Sequence, residues 1–342
     1  MPVGRVTTKP ASEVSTDPPR QRKRWIVAGT LGLLLILALA VALSWHFSSV
    51  LLVPDHSPYS KKVDIEAVSP NRITFPRSEA SERPGYYGLA WQAGHAIVGP
   101  IESHGSDTVV RKLTDVEGHL VPGTKAGFET NVYAGNPRQA RGLPFRTVDV
   151  PDPLGPMQAW LIPAARARDG HSRVSHAWAI VVHGHNDDRE NGLRIAPALR
   201  RAGRTTLLIS YRSDPDAPDS PDDRYHLGET EWQDLRAAAR YALRQGARHL
   251  VLAGYSMGGA VIEQFMQRSP LANRVSGVIL DAPTLNWKSI IGFNAEQMGL
   301  PSGLRPARCV DNRRPHKPQL EQSERAATPR GLPNASLAFP RH

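Results

Sequence analysis

The chain has 342 residues and a formal net charge of +10, a balance that at first sight suggests a nucleic-acid partner. The charge is concentrated at the ends. Residues 1–24 hold Arg5, Lys9, Arg20, Arg22, Lys23 and Arg24 against Glu13 and Asp17, and residues 305–342 hold eight arginines and lysines against Asp311, Glu321 and Glu324. The body between them is close to neutral, which excludes a basic nucleic-acid-binding face. Cys309 is the only cysteine, which excludes an intrachain disulfide framework.

Residues 1–24 are rich in Pro, Ser, Thr and Arg, a composition that predicts disorder. Residues 25–47 follow as a Leu-rich run without Asp, Glu, Lys or Arg. About twenty such residues suffice to span a bilayer as a helix. Trp25 and Trp45 suit the two interfaces, and the basic cluster just before Trp25 places the N-terminus in the cytoplasm and the rest outside it. The expectation is a single-pass anchor in the cell membrane. Ala40-Val41-Ala42 offers a signal-peptidase site as the alternative, but the apolar run is longer than a usual signal core.

Residues 48–59 read as a linker. From 61 to 143 the apolar stretches are short and broken by Gly and Pro, at 63–68, 72–75, 86–91, 96–98 and 108–113, which predicts a small β-rich domain. His95, His104 and His119 fall within it without metal-ligand spacing, so no metal site is expected.

From residue 144 the pattern changes. Segments 145–150 and 158–162 read as a hairpin pair across the Pro-Gly-rich 151–156. Strands and helices then alternate: strand 177–182, helix 193–201, strand 205–210, helix 230–244 with a capping box of Thr230 and Gln233, strand 250–254, helix 260–267, strand 275–280. Such alternation predicts an α/β fold, a mostly parallel sheet with helices on both faces. Ligands then bind beyond the carboxyl ends of the strands.

Two turns at such ends carry chemistry. Gly254-Tyr255-Ser256-Met257-Gly258-Gly259 lies between a predicted strand and helix, the arrangement of a nucleophile elbow. A serine in this strained turn needs small neighbours, and the glycines supply the room. The N–H of Met257, at a helix N-terminus, faces a developing oxyanion. His183-Gly184-His185 follows strand 177–182, and the N–H of His185 is the candidate second donor. Two donors aimed at one developing charge are what acyl transfer requires. Tyr211-Arg212-Ser213-Asp214 follows strand 205–210 and is a candidate lining of the pocket mouth, and the Asp/Pro-rich segment 214–223 reads as a solvated connection.

These residues, together with Leu280-Asp281-Ala282-Pro283 after the next strand, resemble the α/β-hydrolase superfamily over about 145–300. The Gly-Tyr-Ser-Met-Gly-Gly form is similar to its membrane-anchored, serine-esterase-like and prolyl-oligopeptidase-like branches. The resemblance implies a Ser–His–Asp triad, a hydrolysed ester, thioester or amide, and no cofactor. The family order is Ser, acid, His. Asp281 is the candidate acid, although an Asp in this setting more often organises the following turn. His316 and His342 are the only histidines after Ser256. Both lie in 305–342, an Arg/Pro-rich stretch without periodicity that predicts a disordered tail. The hydrolase core, 144–304, therefore reads as truncated before the acid and His, with the reading frame lost near Leu304 and strand 275–280 left as an apolar edge.

Two functions follow. One is a membrane-anchored serine hydrolase in which Ser256 forms the acyl-enzyme on a small-molecule or peptide substrate. The other is a catalytically inactive remnant with a binding role.

Overall fold

The computed structural model describes residues 19–56, 62–92, 94–165, 176–287 and 289. Residues 1–285 form one compact unit and 286–342 a second. In the second, the Asn286 Oδ1 accepts from the Ser289 N–H at 3.1 Å. The predicted tail, His316, His342 and the proposed frame loss lie outside the described residues.

The chain opens with α1, Pro19–Leu52. Its side chains described over 24–39 are all exposed, Trp25, Leu31 and Leu35 among them. The expected span over 25–47 is corrected here: among the described residues no helix is long and apolar enough to cross a membrane. The helix also runs past both predicted ends. It takes in the basic stretch before Trp25 and, on the other side, the first part of the predicted linker through Leu52.

Seven strands come next: β1 (Lys62–Val63), β2 (Ala67–Ser69), β3 (Arg72–Pro76), β4 (Tyr87–Trp91), β5 (Gly94–His104), β6 (Thr108–Glu117) and β7 (Ala126–Glu129). They form one antiparallel sheet in the order β1-β7-β4-β5-β6-β3-β2. Alternate residues turn inward, so that Ile73 and Phe75 meet Leu89, Val98 and Leu113 in a shared core. Arg111 is buried among them. Its guanidinium donates to the carbonyls of Gly99, Ser81, Arg83 and Gly85, which fastens the loop before β4 to the sheet.

A short helix α2 (Pro137–Arg141), with its capping box on Asn136 and Gln139, leads into the second sheet. That sheet is built from β8 (Arg146–Val150), β9 (Met157–Ile162), β10 (Ala177–Val182), β11 (Thr205–Ile209), β12 (His249–Tyr255) and β13 (Val275–Asp281), in the order β13-β12-β10-β11-β9-β8. β8 and β9 are the antiparallel hairpin pair, and β9 joins β11 antiparallel. β11, β10, β12 and β13 run parallel. Helices α3 (Ala196–Arg201), α4 (Trp232–Arg244) and α5 (Met257–Arg268) make the crossovers. β10 throughout, and β12 from Leu250 to Ala253, are apolar and covered on both faces, apart from the half-buried Ala177. At the end of the described sheet, Val278, Ile279 and Leu280 of β13 are exposed.

Two local expectations are corrected. The helix predicted over 193–201 is divided into a 3₁₀ segment, Arg189–Arg194, and α3. α4 starts two residues late and without the Thr230–Gln233 capping box. The reason is Glu231, whose carboxylate turns back to accept from the N–H groups of His226 and Gly228 at 2.6 and 2.9 Å, so it organises the preceding loop instead.

Candidate active site

The carboxyl ends of β10, β11, β12 and β13 converge on one place. There the chain departs from ordinary backbone at Asn186, Ser213, Ser256 and Ala282, with φ of 55°, 67°, 47° and 46°. Non-glycine residues in this region are uncommon and strained. Ser256, with ψ of −115°, joins β12 to α5. The turn is held by its own backbone: the Ser256 N–H donates to the Asp281 carbonyl at 3.0 Å, and the Ser256 carbonyl accepts from Gly259 and Thr284.

The neighbouring glycines are required by space. A Cβ at Gly258 would stand 2.3 Å from the Val182 carbonyl oxygen, and one at Gly254 would stand 2.7 Å from that of Gly258. One at Gly184 would stand 3.3 Å from Ser256 Cβ. The His183-Gly184-His185 turn therefore lies directly against the serine. Among the described residues, neither the His185 N–H nor the Met257 N–H has a protein acceptor, so both remain available to an anion. Ser256 Oγ lies 3.3 Å from Thr284 Oγ1, and no described histidine is hydrogen-bonded to it. Asp281 meets Ser256 through its main chain, while its side chain is exposed and paired with no described histidine.

Because Ser256 sits at positive φ, Ser256→Gly is expected to melt higher than Ser256→Ala, by about 0.5–1 kcal/mol in stability, since glycine relieves the strain and alanine does not. Paired thermal denaturation curves check this, and an equal or lower stability for the glycine variant contradicts it.

Behind the turn lies a pair that the sequence did not single out. His183 Nε2 donates to Asp214 Oδ2 at 2.7 Å, with both side chains fully buried. The ring's Nδ1 meets the Gly184 carbonyl at 2.9 Å, and the ring stacks on Tyr211 at 4.2 Å. Burial pushes the imidazole down, but the charge and hydrogen bond of Asp214 outweigh it and hold the ring above its ordinary value. With both nitrogens engaged, His183 cannot also serve Ser256. Asp214 further accepts from the Tyr211 N–H at 2.7 Å, and the Tyr211 hydroxyl donates to the Gly184 carbonyl at 2.9 Å. Within 214–223, expected to be a solvated connection, the expectation is corrected at two positions: Asp214 and Ser220 are buried, while most of the segment is exposed. Arg212, in a forked pair with Asp234 of α4, fixes the same loop from the other side.

A set of carboxylates ties the same turn to the first sheet. Asp187 is bonded to the Thr130 hydroxyl, Asp188 accepts from Asn131 Nδ2 at 3.2 Å, and Glu190 accepts from the Gly135 N–H at 2.9 Å. Burial, then the charge of Asp188, push Glu190 up to about 8. A carboxyl raised on folding contributes stability that is complete below its unfolded value, near 4.5, and is lost as the pH rises through about 8. Glu190→Gln is therefore expected to flatten the fall in melting temperature between those limits, and an unchanged pH profile contradicts the assignment.

The sequence-based comparisons agree with this architecture. Residues 170–341 match the model of the alpha/beta hydrolase family; half of the chain lies within that match, and the chain belongs to this family. The match runs on through the segment expected to be a tail without family character. Residues 64–129 match a domain of unknown function. No curated protein matches the chain. Among solved structures, the chain is similar to an esterase of Pyrococcus furiosus in two crystal forms. One comparison gives 16% identity, covers 46% of this chain and 59% of that one, and has a TM-score of 0.37. The other gives 17% identity, covers 51% and 63%, and has a TM-score of 0.38. A thermophilic esterase of Thermogutta terrifontis is similar at 18% identity, covering 45% of this chain and 53% of that one, with a TM-score of 0.32. The chain thus spans about three fifths of the length of the Pyrococcus esterase.

Proposed function

We propose that the protein is a serine hydrolase of esterase type, in which Ser256 attacks an acyl carbonyl and the N–H groups of Met257 and His185 receive the oxyanion. The observation that carries this reading is the strained Ser256 turn pressed against Gly184, with two unoccupied N–H donors beside it. Attack transfers the acyl group to Ser256 Oγ and releases the alcohol; water then returns the acid. Family membership supports the reading, and the serine-esterase-like branch is the finer assignment we favour. Asp281 is the proposed acid.

A second reading, an inactive and truncated remnant, is favoured by one specific fact: no described histidine is within hydrogen-bond reach of Ser256. Without a base the hydroxyl is a weak nucleophile. A panel of p-nitrophenyl acyl esters and one anilide separates the two. Ester turnover that disappears in Ser256→Ala supports the hydrolase, and no turnover by a folded chain supports the remnant.

We further propose that α1 holds the protein at a membrane surface. Its exposed apolar side chains and the arginines and lysine beside Trp25 support that placement. Recovery of the full chain in the soluble fraction after cell lysis would contradict it.

A further inference from the structure

The C-terminal end of α1 does not stop at a free linker. The short strap from Leu51 to His56 is bonded across the rim of the candidate site. The Leu51 carbonyl accepts from His185 Nε2 at 2.7 Å, and the Leu52 carbonyl accepts from the Tyr225 N–H at 2.7 Å. The Asp55 N–H donates to Asn186 Oδ1 at 3.0 Å, and His56 Nε2 bonds the Ser213 carbonyl at 2.8 Å. Burial holds the His185 ring below its ordinary value, so it is neutral and donates its single proton to Leu51. Higher on the helix, the Arg224 guanidinium stacks over the exposed ring of Trp45 at 5.8 Å.

The partners of the strap are the loops that define the site. His185 carries a candidate oxyanion donor, and Asn186 and Ser213 are two of its strained backbone positions. The other end of the same helix presents exposed apolar side chains next to a run of positive charge, which fits an anionic lipid surface. A helix seated in lipid and fastened within a few residues of the oxyanion loop fixes the mouth of the site at that surface. A water-borne substrate needs no such coupling.

We propose, building on the serine hydrolase reading, that the strap couples the oxyanion loop to a lipid-seated helix, so that the site takes acyl esters presented from a lipid surface. Leu51, Asp55 and His56 are positioning residues in this scheme, acting through His185, Asn186 and Ser213.

The test uses the full chain with vesicles of phosphatidylcholine and phosphatidylglycerol in equal amounts. They carry a bilayer-resident long-chain acyl ester of a fluorogenic coumarin; the acetyl ester of the same coumarin, in water, is the comparison. The expected result is faster turnover of the vesicle-resident ester by about tenfold or more, a gain of positioning rather than of chemistry. The double variant Asp55→Pro and His56→Ala removes the Asp55–Asn186 bond and both bonds of the His56 ring, to the Ser213 carbonyl and to the Tyr225 hydroxyl at 3.4 Å. It is expected to float with the vesicles as before but to lose most of that preference. As a check that does not depend on the variant folding, the amides of 183–187 in the unaltered chain should gain hydrogen-exchange protection when vesicles are added. Equal rates on the two esters, a preference unchanged in the double variant, or unchanged exchange overturns the proposal. Should neither ester turn over and a fluorophosphonate leave Ser256 unlabelled, the hydrolase reading itself fails and this proposal falls with it.

Discussion

Asp214→Ala is expected to destabilise the protein by about 3 kcal/mol or more, because it strands a buried imidazole that has lost its counter-charge. His183 keeps its bond to Gly184 and its stack on Tyr211, but nothing else replaces the carboxylate at Nε2. The Tyr211 N–H loses its acceptor as well. The sign of the pH dependence follows from the raised His183 value. While Asp214 is ionised, the stabilisation from His183 is present below the ordinary histidine range and is lost as the pH rises through the raised one, so the gap between parent and variant narrows in alkali. Urea unfolding of both proteins across pH measures this. A loss under about 0.5 kcal/mol, the size of an ordinary surface change, would show that the pair does not hold the turn.

Gly258→Ala should be as severe. The added Cβ would meet the Val182 and His183 carbonyl oxygens at 2.3 and 2.6 Å. Both are backbone atoms at the end of the central strand β10, so no side chain can swing aside. The start of α5 has to back away, at a cost of about 1–3 kcal/mol or more for a strained core. The same movement shifts the Met257 N–H away from Ser256. Stability and reactivity should therefore fall together, measured by denaturant unfolding and by the rate of serine labelling. A variant with parental stability would mean that the elbow is looser than its geometry states.

Much of this fold was legible in the chain. The apolar runs of β10 and β12 identify central parallel strands, because a strand covered on both faces has no polar alternation to confuse with a helix. Gly254, Gly258 and Gly259 announce their turn because each faces a backbone oxygen or ring that leaves no room for a side chain. What escaped was contact at long range. The partner of His183 lies thirty-one positions on, at Asp214, inside a segment whose Asp and Pro content reads as solvated. The bond from His185 to Leu51 spans 134 positions, and a predicted linker gives no sign that its backbone will be used as a strap. Thr284, which touches the serine hydroxyl, stands outside any motif. The start of α4 was misplaced because Glu231 competes for amides upstream, a choice made by the folded loop and not by the local pattern.

The reactivity of Ser256 is tested most directly by intact-protein mass spectrometry of the full chain before and after a fluorophosphonate probe, followed by peptide mapping. A single adduct on Ser256, absent in Ser256→Ala, is the expected result and would show that a working base reaches the hydroxyl. A folded chain of the correct mass that takes up no label would contradict a nucleophilic serine and leave the turn as an inherited shape.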